Sequence, residues 1–173
     1  VVVNYGKADE SYTSGLNAQA AALGAEQVLP RNLKEALIGL TAELDRRISV
    51  SDSAAGVSAP PIFLMLAGGQ RARDLRENRD DYAEDTPNRM FARLCREGPE
   101  VGLHVLLACD TLASVEKILG TRGLDEFGLR VGFPPISAND SDDLLGTNQA
   151  SQLEPQRALF GDEERTGVVE QFR

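Results

Sequence analysis

The chain has 173 residues, a length typical of one domain, and 42% of them are hydrophobic, which is enough for a sizeable core. Its 27 acidic and 18 basic residues give a formal net charge of −9, which argues against a surface that wraps nucleic acid by charge alone. No apolar run reaches 18 residues and no signal peptide is visible, so the sequence predicts no membrane span in this chain.

The first fifty residues predict a short strand and two helices. Val1 to Val3 indicate a buried strand, and residues 11–23 contain enough Ala and Leu for a helix. The segment 31–49 is the clearest helix, because its apolar residues fall on one stripe at helical spacing: Leu33, Leu37, Leu40, Leu44 and Ile48. The chain opens inside a strand pattern and without Met, so we expect it to be a piece of a longer protein.

The segment PPIFLMLAGGQ, residues 60–70, predicts a strand over 62–67 that is buried on both faces. Residues 70–85 are strongly charged and predict a helix start that runs into a mobile loop. Their arginines indicate a solvated helix face, with a phosphate or subunit contact by one of them as the alternative. These charged residues are Arg71, Arg73, Arg76 and Arg79, then Asp80, Asp81, Glu84 and Asp85.

The second half of the chain alternates predicted helices and strands. In the helix at 86–98, Thr86 caps the first turn and an apolar face follows: Met90, Phe91, Leu94 and Cys95. A strand at 103–109, a short helix at 111–119, a strand at 129–133, a short helix in ANDSDDLLG and a hairpin over 157–172, with its turn near 163–167, complete the series.

This order of elements predicts one α/β domain over residues 1–173. Crossover connections and continuous apolar strands are typical of parallel sheets, whose strands are covered on both faces. We therefore expect a mainly parallel sheet flanked by helices, with strands 62–67, 103–109 and 129–133 at its centre. A C-terminal antiparallel hairpin should follow it.

Motifs for several common chemistries are absent from the sequence. It has no Gly-x-x-x-x-Gly-Lys-Ser/Thr loop to cradle phosphate, no dinucleotide fingerprint and no nucleophile elbow of a serine hydrolase. One histidine and two cysteines without metal spacing predict no metal site. Cys95 and Cys109 lie in apolar segments and are interpreted as buried free thiols of a protein in a reducing compartment.

A few polar residues remain as candidates for a site. Asp110 and Thr111 are the first polar residues after strand 103–109, where ligands of open α/β sheets bind, but a helix N-cap explains them equally well. His104 has two interpretations. It is a structural histidine of the core or of a strand edge, or it is a residue that marks membership of a protein family. The run Asp140-Ser141-Asp142-Asp143 is a further candidate, but it is also explained as the cap of a helix and as negative charge in the first turn of that helix.

The segment EGPEVGLHVLLACDT resembles part of the FtsK/SpoIIIE-type translocases, which are P-loop ATPases of the HerA/FtsK superfamily. In that family Gly-x-His, here Gly102 and His104, precedes an apolar strand that ends at a sensor position. The following residues resemble the family's tail, with Arg130 on a strand and Asp140-Ser141 before a short helix. Order and spacing agree over about 75 residues, and the earlier part of the chain fits more loosely.

The resemblance implies a RecA-like fold and a homo-oligomer, specifically a hexamer. It implies that the parent protein binds ATP and Mg, while neither is expected to bind to this fragment. It also implies that the cargo is DNA. Related type VII secretion ATPases make a secreted protein the alternative cargo, which the acidic charge favours slightly. It further implies a cytoplasmic location, with a membrane-associated parent as an option.

The resemblance also shows where this sequence departs from the family. The strand 62–67 occupies the place of the Walker B strand, whose two terminal acids correspond to Ala67 and Gly68. The sensor sequence Ala-Thr-Gln-Arg corresponds to Ala108-Cys109-Asp110-Thr111, and the Walker A loop is not in this chain. A carboxylate for hydrolysis would come from elsewhere, and Asp110 is the candidate catalytic residue, with a neighbouring subunit as the other source.

Three functions therefore stay open. In the first, the chain is the distal half of an FtsK/HerA-like ATPase that moves DNA or protein. In the second, it is a non-hydrolysing scaffold or regulatory module that keeps the ATPase fold. In the third, it is an unrelated α/β domain that binds a small ligand. Because the phosphate-cradling loop is missing, we expect this fragment alone neither to bind ATP tightly nor to hydrolyse it.

Overall fold

The computed structural model describes residues 1–7, 10–51, 59–76, 85–120, 122–163 and 169–172, which form two sheets. The first is four-stranded and parallel, in the order β2-β1-β3-β4; its strands are β1 (Val2–Asn4), β2 (Gln27–Val28), β3 (Ile62–Ala67) and β4 (Leu103–Ala108). The second is antiparallel, in the order β5-β6-β7; its strands are β5 (Leu129–Gly132), β6 (Ala158–Asp162) and β7 (Val169–Phe172).

Five α-helices accompany these strands in the described residues: α1 (Ser11–Ala22), α2 (Leu33–Ser51), α3 (Pro87–Glu97), α4 (Leu112–Leu119) and α5 (Ala138–Leu145). Each agrees with a helix predicted from the sequence to within a few residues. The α/β fold with a parallel sheet and a C-terminal antiparallel hairpin is confirmed. The predicted hairpin turn lies mostly outside the described residues, which stop at 163 and resume at 169.

The main core lies between the parallel sheet and the pair α2 and α3. The predicted stripe of α2 is buried from Leu33 to Leu44, and Ile48 packs at its margin. The predicted face of α3 is likewise buried, with Phe91 completely enclosed. Across from them lie Leu64 and Leu66 of β3. Each fully buried leucine contributes about 2 kcal/mol of hydrophobic stabilisation, so these elements hold the sheet in place.

The predicted central position of strand 129–133 is wrong. β5 pairs antiparallel with β6, with Val131 opposite Phe160, and belongs to the second sheet. Its side chains alternate, since Arg130 and Gly132 face one side while Leu129 and Val131 face the other, and such alternation is typical of a half-covered antiparallel strand. β3 is central as predicted, whereas β4 is an edge strand among the described residues.

The charged segment after β3 also differs from its prediction. In place of a helix start, two short 3-10 turns follow β3, over Gly69–Arg71 and Arg73–Leu75. Arg71 is ion-paired with Glu10 rather than lying on a solvated helix face. The predicted mobile loop falls largely on residues 77–84, which are outside the described residues.

Both cysteines are free thiols, as predicted, with Cys95 buried and Cys109 half-buried. Burial raises the pKa of Cys95 to about 12 and that of Cys109 to about 11, so both stay protonated at neutral pH.

Within the described part of the chain, none of the helices has the length and apolar character needed to cross a membrane.

Candidate functional site

The carboxyl ends of three parallel strands meet at one edge of the first sheet, which we call the carboxyl edge. The register pairs Asn4 of β1 with Ala67 of β3, and Ala67 in turn with Ala108 of β4, so the three strands end level. The residues that follow them, Tyr5, Gly68 and Cys109, therefore lie side by side. Open α/β sheets bind ligands beyond this edge, which makes it the candidate site.

The positions predicted to replace a pair of Walker B acids are closely packed. Ala67 is 5% exposed, and Gly68 has a left-handed backbone with φ of +74°. A Cβ atom on Gly68 would lie 3.3 Å from the Cβ of Tyr5, and one on Gly69 would lie 2.7 Å from the Sγ of Cys109. The backbone at Gly68 disfavours any side chain, and the space at Gly69 excludes one.

A carboxylate does lie near this edge, but it is paired with an arginine. Both oxygens of Glu10 accept hydrogen bonds from the guanidinium of Arg71, at 2.6 and 2.8 Å. The Tyr12 hydroxyl and the Lys7 backbone N–H donate to the same carboxylate, and Arg71 also donates to the Tyr5 carbonyl. The hydrogen bond from Arg71, followed by that from Tyr12, lowers the pKa of Glu10 well below its ordinary value.

Sequence reasoning missed this ion pair. Glu10 and Arg71 are 61 residues apart, and nothing local to Glu10 indicates a partner. Arg71 was the only signal, because one arginine of its charged segment was considered for a phosphate or subunit contact. The structure gives that arginine an intramolecular carboxylate instead.

Buried polar atoms without a partner in the described residues also flank the carboxyl edge. They are the Tyr5 hydroxyl after β1, the Gln70 side-chain carbonyl after β3, and the Thr13 hydroxyl in α1. Burial chiefly, with the nearby charge of Asp74, raises the pKa of Tyr5 to about 12, so its phenol stays neutral. Buried polar groups are normally hydrogen-bonded to protein or to ordered water, so these three atoms are candidate positions for ordered water at the edge.

The structure gives different roles to Asp110 and Thr111, the two candidate residues that follow β4. Thr111 is the N-cap of α4, because its backbone is extended and its hydroxyl accepts a hydrogen bond from the Ser114 N–H at 3.3 Å. Asp110 is exposed and lies within hydrogen-bonding distance of the Thr111 hydroxyl, at 3.2 Å. The alternative that Asp110 itself caps the helix is therefore wrong. Asp110 stays a candidate at the carboxyl edge, beside the end of β3.

Gly102, a marker of the family resemblance, forms a turn held by a buried arginine. Gly102 has φ of +74°, a left-handed conformation that suits glycine. Arg47 of α2 is only 2% exposed and donates to the carbonyls of Val101 at 2.9 Å, Gly102 at 3.3 Å and Pro60 at 2.8 Å. Glu43 accepts from the Arg47 Nε at 2.8 Å, so Glu43, Arg47 and Gly102 form one structural unit.

The other markers have structural contacts of their own. His104 is half-buried and stacks on Phe63 of β3, with ring centroids 5.1 Å apart. Arg130 donates to the carbonyls of Phe127 and Leu124 and pairs with Glu163. These contacts hold strands and turns together, so none of them requires a ligand.

The Asp140-Ser141 pair lies in the first half of α5. Ser141 is completely buried, donates to the Thr147 carbonyl at 2.6 Å and accepts from the Ala150 N–H at 3.2 Å. Asp140 does not cap α5; its N–H donates to the hydroxyl of Ser137, which is the cap. Ser141 thus fixes the turn that follows the helix, and Asp140 adds a negative charge in the first turn.

The described residues do not fit Mg-ATP by themselves. They contain no group of three or more His, Cys, Asp or Glu side chains arranged to hold a metal ion. The sequence has no phosphate-cradling loop, Ala67 and Gly68 at the end of β3 carry no acid, and Arg71 occupies both oxygens of Glu10. Any nucleotide site at this edge therefore needs residues from outside the described part of the chain.

Two solved structures have a similar fold. The cytoplasmic domain of the Thermomonospora curvata type VII secretion ATPase EccC aligns with 86% of this chain at a TM-score of 0.59 and 19% identity. The pCW3 conjugation coupling protein TcpA, in its monomer form with ATPγS, aligns with 84% at a TM-score of 0.63 and 14% identity. The aligned part spans only 19% and 45% of those chains. No family model and no curated protein sequence matches the chain.

Proposed function

We propose that this chain is the distal part of an FtsK/SpoIIIE-like ATPase domain, in a protein that moves DNA or protein and has degenerate Walker B acids. The observation that carries the proposal is the carboxyl edge, where three level strand ends are surrounded by buried polar atoms that lack partners among the described residues. Open α/β sheets bind their ligands beyond this edge, which supports a site there. The fold shared with EccC and TcpA supports nucleotide as the ligand in the parent protein, since the first is described as an ATPase and the second was solved with ATPγS.

In this proposal residues 1–173 act as one unit, and the phosphate-binding loop comes from elsewhere in the parent protein. ATP and Mg bind in the parent, a homo-oligomer that we expect to be a hexamer at a cytoplasmic location. DNA and a secreted protein are the two cargo classes. The net charge of −9 gives modest support to protein.

Asp110 is the residue of this chain that we propose for catalysis. It is exposed, it lies at the same edge as Gly68, and helix capping is performed by its neighbour Thr111. Replacing Asp110 by Asn keeps the size and polarity of the side chain. In the full-length protein, ATP turnover should then fall on the order of a hundredfold or more with folding intact. Unchanged turnover would remove Asp110 from the mechanism.

A non-hydrolysing scaffold is the second candidate function. Its support is the left-handed backbone of Gly68 and the tight packing of Gly69, because both features oppose acids at the place where Mg and water would be handled. The same turnover measurement separates the candidates. A full-length protein that binds ATP without hydrolysing it supports the scaffold, whereas steady turnover supports the ATPase.

A further inference from the structure

Half of one side of the parallel sheet carries an apolar surface that no described helix covers. The strands β3 and β4 contain no charged residue, and their side chains point alternately into the core and to the opposite side. The side chains on the opposite side form what we call the β3–β4 face: Phe63, Met65, His104, Leu106 and Ala108. Phe63 is 51% exposed and Leu106 is 47% exposed. Parallel sheets are normally covered on both sides, so this face indicates an interaction surface.

The helix α1 covers the neighbouring half of the same side. Val2 pairs with Met65 in the register, and Met65 pairs with Leu106, so these three residues share one side of the sheet. Val2 is buried, and Asn4, the next residue on its side, donates to the carbonyl of Thr13 in α1 at 3.3 Å. The layer of helix therefore begins over β1 and β2, and the exposure of Leu106 shows that it ends before β4.

The uncovered half has the dimensions of one helix. Two neighbouring strands occupy a width of about 10 Å, which equals the diameter of a helix with its side chains. Each of the two strands has six residues. At about 3.3 Å per residue a strand of this size is about 20 Å long, the length of a helix of about 13 residues. One helix beside α1 would complete the layer on this side of the sheet.

The chemistry of the β3–β4 face argues against other occupants. Neither strand contributes a Lys or an Arg, so the face offers no contact to the phosphates of a nucleic acid. His104 stacks on Phe63 with ring centroids 5.1 Å apart, and the two rings present a flat surface. A second copy of this chain would place sheet against sheet, whereas parallel sheets are covered by helices.

We propose that the β3–β4 face is the docking surface for an amphipathic helix of the parent protein that lies outside residues 1–173. Apolar side chains of this helix cover Phe63, Met65 and Leu106, and its polar side faces solvent. The inference rests on the proposed function in one respect, since it requires a parent longer than this chain. The EccC and TcpA chains, which share the fold, both extend well beyond the aligned part.

The two methionines of the chain report on this docking. Met65 is half-buried on the β3–β4 face, whereas Met90 lies in the core and is 7% exposed. In the 173-residue chain, peroxide should oxidise Met65 about tenfold faster than Met90, as measured by mass spectrometry. In the full-length protein the oxidation of Met65 should slow about fivefold or more, with Met90 unchanged. Slow oxidation of Met65 in the 173-residue chain, or equal rates for Met65 in both proteins, would overturn the proposal.

Photo-crosslinking identifies the occupant of the face. Benzoylphenylalanine in place of Phe63 in the full-length protein should, on irradiation, crosslink to a helical segment of the same chain outside residues 1–173. Peptide mass spectrometry locates the crosslinked segment. A crosslink to residues 1–173 of the same chain, to a second copy or to another protein would overturn the proposal and assign the face to that occupant.

A substitution of Leu106 gives an independent test. Threonine is well tolerated in strands, so Leu106→Thr should shift the melting temperature of the 173-residue chain by less than about 2 °C. In the full-length protein the same variant should melt several degrees lower and should restore fast oxidation of Met65. Leu64→Thr is the control, because Leu64 is 2% exposed and its loss should lower the melting temperature of both proteins.

Equal shifts of the melting temperature for Leu106→Thr in the two proteins would contradict docking at this face. None of these measurements requires nucleotide. A full-length protein that neither binds nor hydrolyses ATP would therefore refute the proposed function while Met65 stays protected. Conversely, an active ATPase with an accessible Met65 would refute only the docked helix.

Discussion

Arg71 holds both carboxylate oxygens of Glu10, and this pair joins the turn after β3 to the segment that precedes α1. The geometry is the two-pronged one in which arginine binds carboxylates most specifically. Both side chains are partly exposed, at 31% and 28%, so solvent screens the attraction. The consequence for the carboxyl edge is that the carboxylate of Glu10, which lies beside it, is already occupied.

The pH dependence of stability should reveal this pair. The pKa of Glu10 is lowered in the folded chain, so its contribution is fully present above the ordinary glutamate value of about 4.3 and is lost as the pH falls below it. We expect Glu10→Gln to melt at a lower temperature than wild type at pH 7. The two melting temperatures should converge toward pH 2. A difference that stays constant across this range would contradict the lowered pKa.

Replacing Arg47 should destabilise the chain strongly. Arg47→Ala leaves the carbonyls of Val101 and Pro60 without their donor and leaves Glu43 with one partner fewer, which should cost about 3 kcal/mol. Arg46→Ala is a matched control, because Arg46 pairs with the same Glu43 on an exposed surface and should change stability by less than about 0.5 kcal/mol. Urea unfolding of the two variants measures both effects. Equal losses of unfolding free energy would show that the burial of the arginine donor does not determine its contribution to stability.

Introducing an acid at the end of β3 should be unfavourable. Gly68→Ala should cost about 1–2 kcal/mol because of the left-handed backbone and the close approach of Tyr5, and Gly68→Asp should cost more, because Gly68 is buried and the carboxylate would lose its solvent there. Ala67→Asp should cost more, because it places an unpaired carboxylate at a position that is 5% exposed. Denaturant unfolding ranks the three variants, and a neutral Gly68→Ala would contradict the constraint at this turn.

Substitutions of Asp110 and Thr111, the candidate residues after β4, should differ in their effect on the unfolding free energy. Thr111→Ala removes the N-cap of α4 and should cost about 1 kcal/mol. Asp110→Asn should leave the unfolding free energy unchanged within about 0.5 kcal/mol, since Asp110 is exposed and does not cap the helix. The reverse order in thermal unfolding would mean that Asp110 has the structural role.

The 173-residue chain by itself should not bind Mg-ATP tightly. It lacks the phosphate-cradling loop, and its described residues provide no metal-binding cluster. Calorimetric titration should show no heat attributable to a micromolar site. A dissociation constant in the micromolar range would require a phosphate site that neither the motifs nor the carboxyl edge reveals.

The sequence alone predicted most elements correctly, because the signals for them are local. The leucine stripe of α2 and the Thr86-Pro87 start of α3 depend only on neighbours within a few turns, and both were confirmed. The continuous apolar run of β3 was enough to predict a parallel strand, but the expected burial on both faces is wrong, since Phe63 is 51% exposed. The candidate site was predicted only in part, since the sequence placed Asp110 and Thr111 at a strand end but left open which of them caps α4.

Tertiary structure decided everything that depends on residues distant in sequence. Nothing near Glu10 predicts that Arg71 will hold it, and nothing near Gly68 shows that Tyr5 will approach its Cα. β5 was assigned to the wrong sheet because a strand of four residues does not reveal its partner: pairing with β6, and packing of Gly132 on Leu145, draw it into the antiparallel sheet. A periodic pattern determines which side of an element is apolar, but the partner of that side is determined by packing across the whole chain.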